Sequence, residues 1–187
     1  MRVAVFGGSF DPPHVGHVLA VAYALLTQRI DEVLVVPVYA HAFDKGLSPF
    51  SDRVEMARLA FADIARTSVS TVESALDVPS ITIRTLEHLS REHPEWALHL
   101  LVGSDVLLES SKWIEWDKIE RYAKLIVLGR VGAEHPDAPE PLLPDVSSTR
   151  IRVLLGARGE GGTASEELAR FVPRSVLEYA DAHGLYR

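Results

Sequence analysis

The stretch VAVFGGSFDPPHVGH, Val3–His17, decides how the rest of the chain is interpreted. It opens with Val3–Phe6, an apolar run of the length expected for a strand buried on both faces. Two glycines then break the strand and let the backbone come close to a ligand. The prolines of Asp11-Pro12-Pro13 cannot continue a strand, and apolar residues recur at helical spacing from about His14. The stretch predicts a strand, a glycine turn and a helix N-terminus, where anions bind.

His14 and His17 indicate which kind of anion this turn would bind. They are three residues apart, so they share one face of the first helical turn, and Gly16 between them removes a side chain and opens the approach. Two imidazoles beside free backbone amides suit a phosphate group in transfer. An isolated H-x-x-H more often marks two structural histidines. Here each part of GGSFDPPHVGH supplies a different part of one phosphate cradle, which favours the phosphate site.

GGSFDPPHVGH resembles the GxFDPxHxGH signature of the HxGH adenylyltransferases, a branch of the nucleotidyltransferase superfamily. It differs from GxxxxGK[ST], because no lysine follows the glycines, and from GxGxxG, whose glycine spacing is absent. The resemblance implies an α/β fold. We expect a single Rossmann-like nucleotidyltransferase domain over residues 1–187, with a mostly parallel sheet and helices on both faces.

Composition limits the class of protein. The chain has 187 residues, 47% hydrophobic and 24% charged, which is ordinary for one globular domain with a real core. A formal net charge of −7 argues against a protein that coats nucleic acid. The absence of cysteine excludes disulfides, thiolate metal sites and a cysteine nucleophile. With no signal peptide or membrane span in the pattern, we expect a soluble cytoplasmic protein. Whether it forms a homo-oligomer stays open.

Apolar runs alternate with helical patterns along the chain, which is typical of a parallel α/β sheet. After the first helix, strands are predicted at 32–37, 67–73, 96–103 and 124–129, and helices at 51–65, 82–91, 166–171 and 173–184. Ser51 is the predicted N-cap of its helix, with Arg53 and Arg58 on the solvated face. The segment 131–146 has no periodic signal and is predicted to be a surface loop.

Two loops resemble phosphate-binding elements of the family. The loop 38–49 carries Lys45 at the place where the family has a lysine that reaches the nucleotide phosphates; the usual prolines before it are missing, and a solvated surface lysine is the alternative. Later, the run SSTRIR, 147–152, resembles the SSTxIR signature that holds the ATP triphosphate. Its hydroxyls suit N-capping, and Arg152 would make a second phosphate clamp.

Two further stretches resemble the nicotinate-nucleotide adenylyltransferases. PSITIRTL, 79–86, is similar to PSYTxDTL, whose amides and threonines hold the nicotinate carboxylate, a group that suits a helix N-terminus. It departs at Ile81 and at Arg84, which either pairs with an acidic substrate group or is a surface charge. Trp113 and Trp116 resemble a W..W stretch in which an aromatic stacks on the pyridine ring; the alternative is that both lie in the core.

The strand predicted at 96–103 ends in Gly103-Ser104-Asp105, similar to the family's GxD near the nucleotide. Residues at the carboxyl ends of strands line the cleft of open α/β sheets, although Asp105 would equally serve as a helix cap. The chain ends in VPRSVLEYADAHGLY, which resembles the ending of the nicotinate enzymes.

The reaction implied by the resemblance joins ATP and nicotinate mononucleotide into deamido-NAD and pyrophosphate, with Mg²⁺ carried mainly by the ATP phosphates. The alternatives are another phosphorylated acceptor, or a nucleotide-binding regulator without turnover. His14 and His17 are the expected catalytic residues. The residues expected to bind ATP are Gly7, Gly8, Ser9, Phe10, His14, Gly16, His17, Lys45, Gly103, Asp105, Ser147, Ser148, Thr149 and Arg152. Those expected to bind the acceptor are Thr82, Arg84, Thr85, Trp113 and Trp116. No dedicated metal ligand is expected.

Overall fold

The computed structural model describes residues 1–40, 46–157 and 162–187. Its centre is one six-stranded sheet with the strand order β3-β2-β1-β4-β5-β6, and every neighbouring pair of strands is parallel. The strands are β1 Arg2–Gly8, β2 Glu32–Pro37, β3 Thr67–Val69, β4 Ala97–Gly103, β5 Lys124–Arg130 and β6 Pro141–Leu143.

Helices connect these strands and cover both faces of the sheet. The α-helices are α1 Val15–Thr27, α2 Phe50–Phe61, α3 Thr82–Glu92, α4 Ser104–Leu108, α5 Ser148–Gly156, α6 Gly162–Phe171 and α7 Arg174–Ala182. Short 3₁₀ helices lie at Val72–Ala75, Ser110–Lys112 and Trp116–Arg121. Across the described ranges, no helix combines the length and the hydropathy needed to cross a membrane.

The central strand β1 has one core on each of its faces, because successive side chains of a strand point to opposite sides. Ala4 and Phe6 are buried among residues of α1, α2, α5, α6 and α7. Val3 and Val5 are buried among residues of α3 and β4. The predicted α/β architecture with helices on both faces is confirmed.

The strand order places a topological switch point between β1 and β4. The chain first adds strands on one side of β1, to β3, and then crosses over to add β4, β5 and β6 on the other. In open sheets of this kind, ligands bind beyond the carboxyl ends of the strands on either side of the switch. The prediction that Gly7 and Gly8 break β1 was wrong: they are its last two residues and pair with Val36 and Pro37, because strand hydrogen bonds are made by the main chain and need no side chain. The turn that follows β1, residues 9–14, lies at the switch point.

Two edge strands differ from the sequence prediction. The segment 131–146 contains β6, which pairs with β5 through Gly129 and Pro141, so describing it as only a surface loop was wrong. A three-residue strand is too short to show a period. At the other edge, β3 stops at Val69 because the chain turns into the 3₁₀ helix Val72–Ala75.

Helix boundaries also differ in places. The N-cap of α2 is Pro49, not Ser51, because the Pro49 carbonyl already accepts the N–H groups of Asp52 at 3.1 Å and Arg53 at 3.2 Å. Helix α6 begins at Gly162, earlier than the predicted residue 166.

The prediction that Arg53 lies on the solvated face was wrong. Its side chain is 2% exposed and donates to four main-chain carbonyls. Nε donates to Ser48 O at 2.9 Å, Nη1 to Ser9 O at 3.0 Å and Val38 O at 2.7 Å, and Nη2 to Tyr39 O at 3.3 Å. The Arg53 guanidinium therefore connects Ser9, in the turn after β1, to the segment that follows β2.

We expect Arg53→Lys to lower the free energy of unfolding by about 2–4 kcal/mol, because an ammonium cannot reach four carbonyls and leaves buried acceptors without donors. Urea denaturation at pH 7 would measure this change. The matched control is Arg58→Lys on the same helix, whose exposed ion pair with Glu55 should change stability by less than about 0.5 kcal/mol. Equally small losses in the two variants would contradict the role assigned to Arg53.

Candidate active site

A cavity of about 630 Å³ opens at the carboxyl ends of β1 and β4, at the switch point of the sheet. Many of the residues predicted from sequence line it: Gly7, Gly8, Ser9, His14, Gly16, His17, Thr82, Thr85, Gly103, Asp105 and Trp113. The first phosphate-binding segment and part of the acceptor-binding segment inferred from the sequence therefore share one cavity. The side chain of Phe10 is fully buried in the core, and its backbone has a left-handed φ of 48°. Phe10 therefore anchors the turn to the core.

The imidazoles of His14 and His17 stack on each other at the start of α1. Their ring centroids are 3.8 Å apart, with an interplanar angle of 23°. His17 Nδ1 accepts a hydrogen bond from the His14 backbone N–H at 3.1 Å. Because Nδ1 is the acceptor, neutral His17 carries its proton on Nε2, which leaves an N–H donor on the other edge of the ring.

Both histidines favour the neutral form. Burial lowers the pKa of His14 from 6.5 to about 4, and the Arg130 guanidinium adds to this. Burial also takes the pKa of His17 well below its ordinary value, with further lowering by His14 and Arg130. Within residues 1–40, 46–157 and 162–187, the buried Nδ1 of His14 has no hydrogen-bond partner. Both rings are therefore neutral and lie near the positive charge of Arg130. A bound anion would offset that positive charge.

Two glycines allow close approach in this cavity. A Cβ at Gly16 would lie 3.1 Å from ring atoms of His14 and 3.2 Å from Val146 Cγ1. Gly16 therefore makes room for the His14 ring itself. A Cβ at Gly103 would lie 2.4 Å from Asp105 Oδ1, so glycine there lets the Asp105 carboxylate fold back against the end of β4.

Asp105 forms an ion pair with Arg130, a residue that the sequence analysis missed. Arg130 Nη1 lies 3.0 Å from Asp105 Oδ2, and Nη2 donates to Val146 O at 2.5 Å. The Arg130 N–H donates to Ser104 Oγ at 2.9 Å. Arg130 lines the cavity. Its position at the end of β5 was the available signal, because strand ends line the cleft in this fold.

A buried carboxylate, also missed from sequence, supports the acceptor-side wall. Glu73 is 7% exposed; its Oε1 accepts from Thr85 Oγ1 at 3.1 Å and its Oε2 from the Tyr39 N–H at 3.0 Å. Ser80 Oγ accepts from the Ala40 N–H at 3.1 Å. These bonds fix the segment after β2 against the start of α3. Because Glu73 follows an edge strand, its sequence context resembles that of a surface residue.

Arg84 and Trp116 lie away from the cavity wall. Arg84 is exposed, with Nη1 3.5 Å from Asp77 O, so it is a surface charge here. The two tryptophans meet edge to face with centroids 5.5 Å apart. Both tryptophans pack against the core that contains α3 residues, and Trp113 also lines the cavity.

The second phosphate-binding signature forms the start of α5. Ser147 is its N-cap, and its Oγ accepts from the Arg150 N–H at 3.2 Å. Ser148 Oγ donates to Pro12 O at 2.9 Å. The N-terminus of α5 therefore contacts the Asp11-Pro12 turn. Ser147, Ser148 and Thr149 do not line the cavity.

Arg152 reaches the same turn. Its Nη1 donates to Asp11 O at 2.7 Å, and Nη2 donates to Thr149 Oγ1 at 3.3 Å. The structure thus brings Ser148 and Arg152 to the HxGH turn from a second helix. Lys45, predicted to act with Arg152, falls outside the described residues.

Comparison with known proteins places the chain in a family. A family model described as Cytidylyltransferase-like matches residues 5–154. A protein of Anaeromyxobacter dehalogenans named "Probable nicotinate-nucleotide adenylyltransferase" is 44% identical, with 100% of this chain and 97% of that protein covered. A Thermus thermophilus protein of the same name is 36% identical, with 100% of each covered. The chain belongs to the nicotinate-nucleotide adenylyltransferase family.

Solved structures agree on the fold of this family member. The Plasmodium falciparum nicotinic acid mononucleotide adenylyltransferase complexed with NaAD has a TM-score of 0.84, with 20% identity over 99% of this chain and 97% of that chain. The same enzyme complexed with APC has a TM-score of 0.81 at 18% identity, covering 99% of this chain and 96% of that chain.

Protein ligands for a metal are scarce in this family member. The described part of the chain contains no group of three or more His, Asp or Glu side chains able to hold an ion. The carboxylates of Asp11 and Asp105 are both engaged, by Tyr186 and Arg130 respectively. Mg²⁺ that is bound to nucleotide phosphates would need few ligands from the protein.

The low pKa of His14 predicts a pH-dependent stability. Between pH 6.5 and about 4, the unfolded chain holds a proton on this histidine that the folded chain does not. Stability should therefore fall as the pH drops through this window, by about 2–3 kcal/mol for His14 alone. Urea denaturation at pH 7 and 4.5 should show a flatter pH dependence for His14→Gln than for wild type. His183→Gln, at an exposed histidine, should keep the wild-type slope; the same slope in all three proteins would refute the assignment.

Proposed function

We propose that this chain transfers an adenylyl group from ATP to nicotinate mononucleotide, releasing deamido-NAD and pyrophosphate. The observation that carries the proposal is the stacked pair of His14 and His17 in the cavity wall. The His14 N–H holds His17 Nδ1, so the donor of the neutral ring is Nε2–H. The names of the full-length relatives support the same reaction.

In this reaction an oxygen of the mononucleotide phosphate attacks the α-phosphorus of ATP. The bond between the α-phosphorus and the bridging oxygen to the β-phosphorus breaks, and its electron pair leaves on pyrophosphate. No protein nucleophile is required, which agrees with a chain that has no cysteine. The protein contributes positioning and donors for the charge that develops on the phosphoryl oxygens.

We assign the main donor role to His17, because its Nδ1 is fixed by the main chain and its Nε2–H is available. A neutral imidazole that donates from a preorganised position loses little energy to reorientation during the reaction. His14 stacks on it and would contact the neighbouring phosphate. The backbone amides of Gly8–Phe10 would line the cradle, and Arg152, together with Lys45, would hold the outer phosphates.

The acceptor would bind at the other end of the cavity. The N-cap of α3 is Ile81, which has no side-chain acceptor, so the first N–H groups of α3 remain available to a ligand carboxylate. Thr82 and Thr85 line the same wall, and Trp113 offers an aromatic face on which a pyridine ring could stack. Mg²⁺ would be carried by the ATP phosphates and would neutralise part of their charge.

The test is pyrophosphate release with Mg-ATP and three acceptors, nicotinate mononucleotide, nicotinamide mononucleotide and phosphopantetheine. A strong preference for nicotinate mononucleotide is expected. Preference for either of the others would keep adenylyl transfer and change the acceptor. Binding of ATP without pyrophosphate release from any of them would favour a nucleotide-binding regulator.

Within that assay, His17→Ala should lower turnover by at least ~10²-fold, the usual cost of losing one preorganised transition-state donor. His183→Ala, which removes an exposed imidazole at the end of α7, should leave turnover unchanged. Near-normal turnover in His17→Ala would remove His17 from the mechanism.

A further inference from the structure

The segment after α7 contacts the turn between β1 and α1 through the side chain of Tyr186. Tyr186 Oη donates to Asp11 Oδ1 at 2.6 Å, and it lies 3.7 Å from Met56 Sδ. Its backbone has a φ of 64°, in the left-handed region that bulky L-residues rarely adopt. A residue held in such a conformation is over-determined by its surroundings. The polar part of these surroundings is the bond to Asp11 and a side-chain hydrogen bond with Ser48.

Asp11 receives donors from three separate parts of the chain. The carboxylate is 1% exposed, and its Oδ2 accepts from the Ser48 N–H at 3.2 Å. The Asp11 carbonyl accepts from Arg152 Nη1 at 2.7 Å, yet the same Nη1 is 3.9 Å from Oδ2. Arg152 is therefore held by the main chain of Asp11, while the Asp11 carboxylate stays at a longer distance.

We propose that Tyr186 is a positioning residue for Arg152, because its hydroxyl occupies Asp11 Oδ1 and keeps the carboxylate from closing on the guanidinium. This inference rests on the proposed function, in which Arg152 holds the ATP phosphates. Arg152 is 32% exposed, so part of the guanidinium faces outward and remains available to an anion.

Without the Tyr186 hydroxyl, the Asp11 carboxylate would have to find another hydrogen-bond donor. A buried carboxylate oxygen that loses its donor needs a new one. Arg53 cannot supply it, because its guanidinium is committed to four carbonyls. The competing donor is the Ser48 hydroxyl, which is hydrogen-bonded to the Tyr186 oxygen, and its capture of Oδ1 would leave ATP affinity unchanged. Arg152 already lies beside Oδ2 and can form a paired contact with the carboxylate. A guanidinium neutralised in this way binds a triphosphate more weakly.

The primary test is Tyr186→Phe, which keeps the ring and removes the hydroxyl. We expect the KM for ATP and the Kd for Mg-ATP to rise about tenfold, the effect of one lost charge-assisted hydrogen bond. The KM for the mononucleotide should stay within about twofold of wild type, since Asp11 and Arg152 lie outside the acceptor wall. Unchanged ATP affinity would overturn the proposal.

The chain offers a matched control in Tyr179. Its hydroxyl donates to Asp52 Oδ1 at 2.8 Å, so Tyr179→Phe removes the same kind of tyrosine–aspartate bond at a contact between α7 and α2. Because Asp52 is less buried than Asp11, we expect a smaller thermal destabilisation and an unchanged KM for ATP. A loss of ATP affinity equal in the two variants, or a Tyr186→Phe protein that does not fold while Tyr179→Phe does, would show a purely structural role and contradict the proposal.

A rescue experiment tests the mechanism directly. If the carboxylate charge is what withdraws Arg152, Asp11→Asn in the Tyr186→Phe background should restore ATP affinity towards the wild-type value. In an Arg152→Gln background, Tyr186→Phe should cause no further loss. An additive loss there would show that Tyr186 acts by another route.

The calorimetric arm keeps this inference separate from the proposed reaction. Binding of Mg-ATP is measured without any acceptor, and turnover of the wild type with nicotinate mononucleotide is measured independently. A wild type that binds ATP but does not use this acceptor would refute the proposed function, while the comparison of the variants would still decide the role of Tyr186.

Discussion

The site depends on holding an irregular turn in place by side chains, because the turn has no helix or strand to satisfy its backbone. Arg53 and Asp11 meet this need from inside the core. The first is a cation that donates to the Ser9 carbonyl in the turn and to the Val38 and Ser48 carbonyls between β2 and α2. The second is an anion that accepts from Ser48 and Tyr186. Each charge is compensated by hydrogen bonds, as burial requires. These hydrogen bonds hold the backbone of the turn in place.

The stacking and the neutral form of the two histidines follow from close packing at the start of α1. The His14 ring fits because Gly16 has no side chain in its way, and the resulting burial lowers its pKa. A neutral, oriented donor suits phosphoryl transfer because it adds no charge repulsion when cations already hold the nucleotide. Arg130 also favours the neutral form of both histidines, because its positive charge lowers the pKa of each ring.

The sequence was informative where the signal is local and weak where the role comes from long-range contacts. The β1–α1 unit could be predicted because a buried strand, two glycines and a helical period follow one another within 25 residues or so, and its histidines lie where expected. The strand β6 has three residues and no period. Arg53 and Glu73 resemble surface charges in sequence, and only their partners in space, which are mostly main-chain groups, show otherwise. Arg130 had one local signal, its position at the end of β5.

The two departures from the nicotinate motif are explained by where the residues lie. Arg84 replaces an aspartate of the motif but is exposed and faces the Asp77 carbonyl, so its charge does not enter the cavity. Ile81 replaces a tyrosine at the N-cap of α3, makes no side-chain cap hydrogen bond and lines the cavity. In the proposed function the acceptor carboxylate binds backbone amides at this helix N-terminus. Recognition of that kind would not depend on the side chain at the cap, so the proposed acceptor is compatible with isoleucine there.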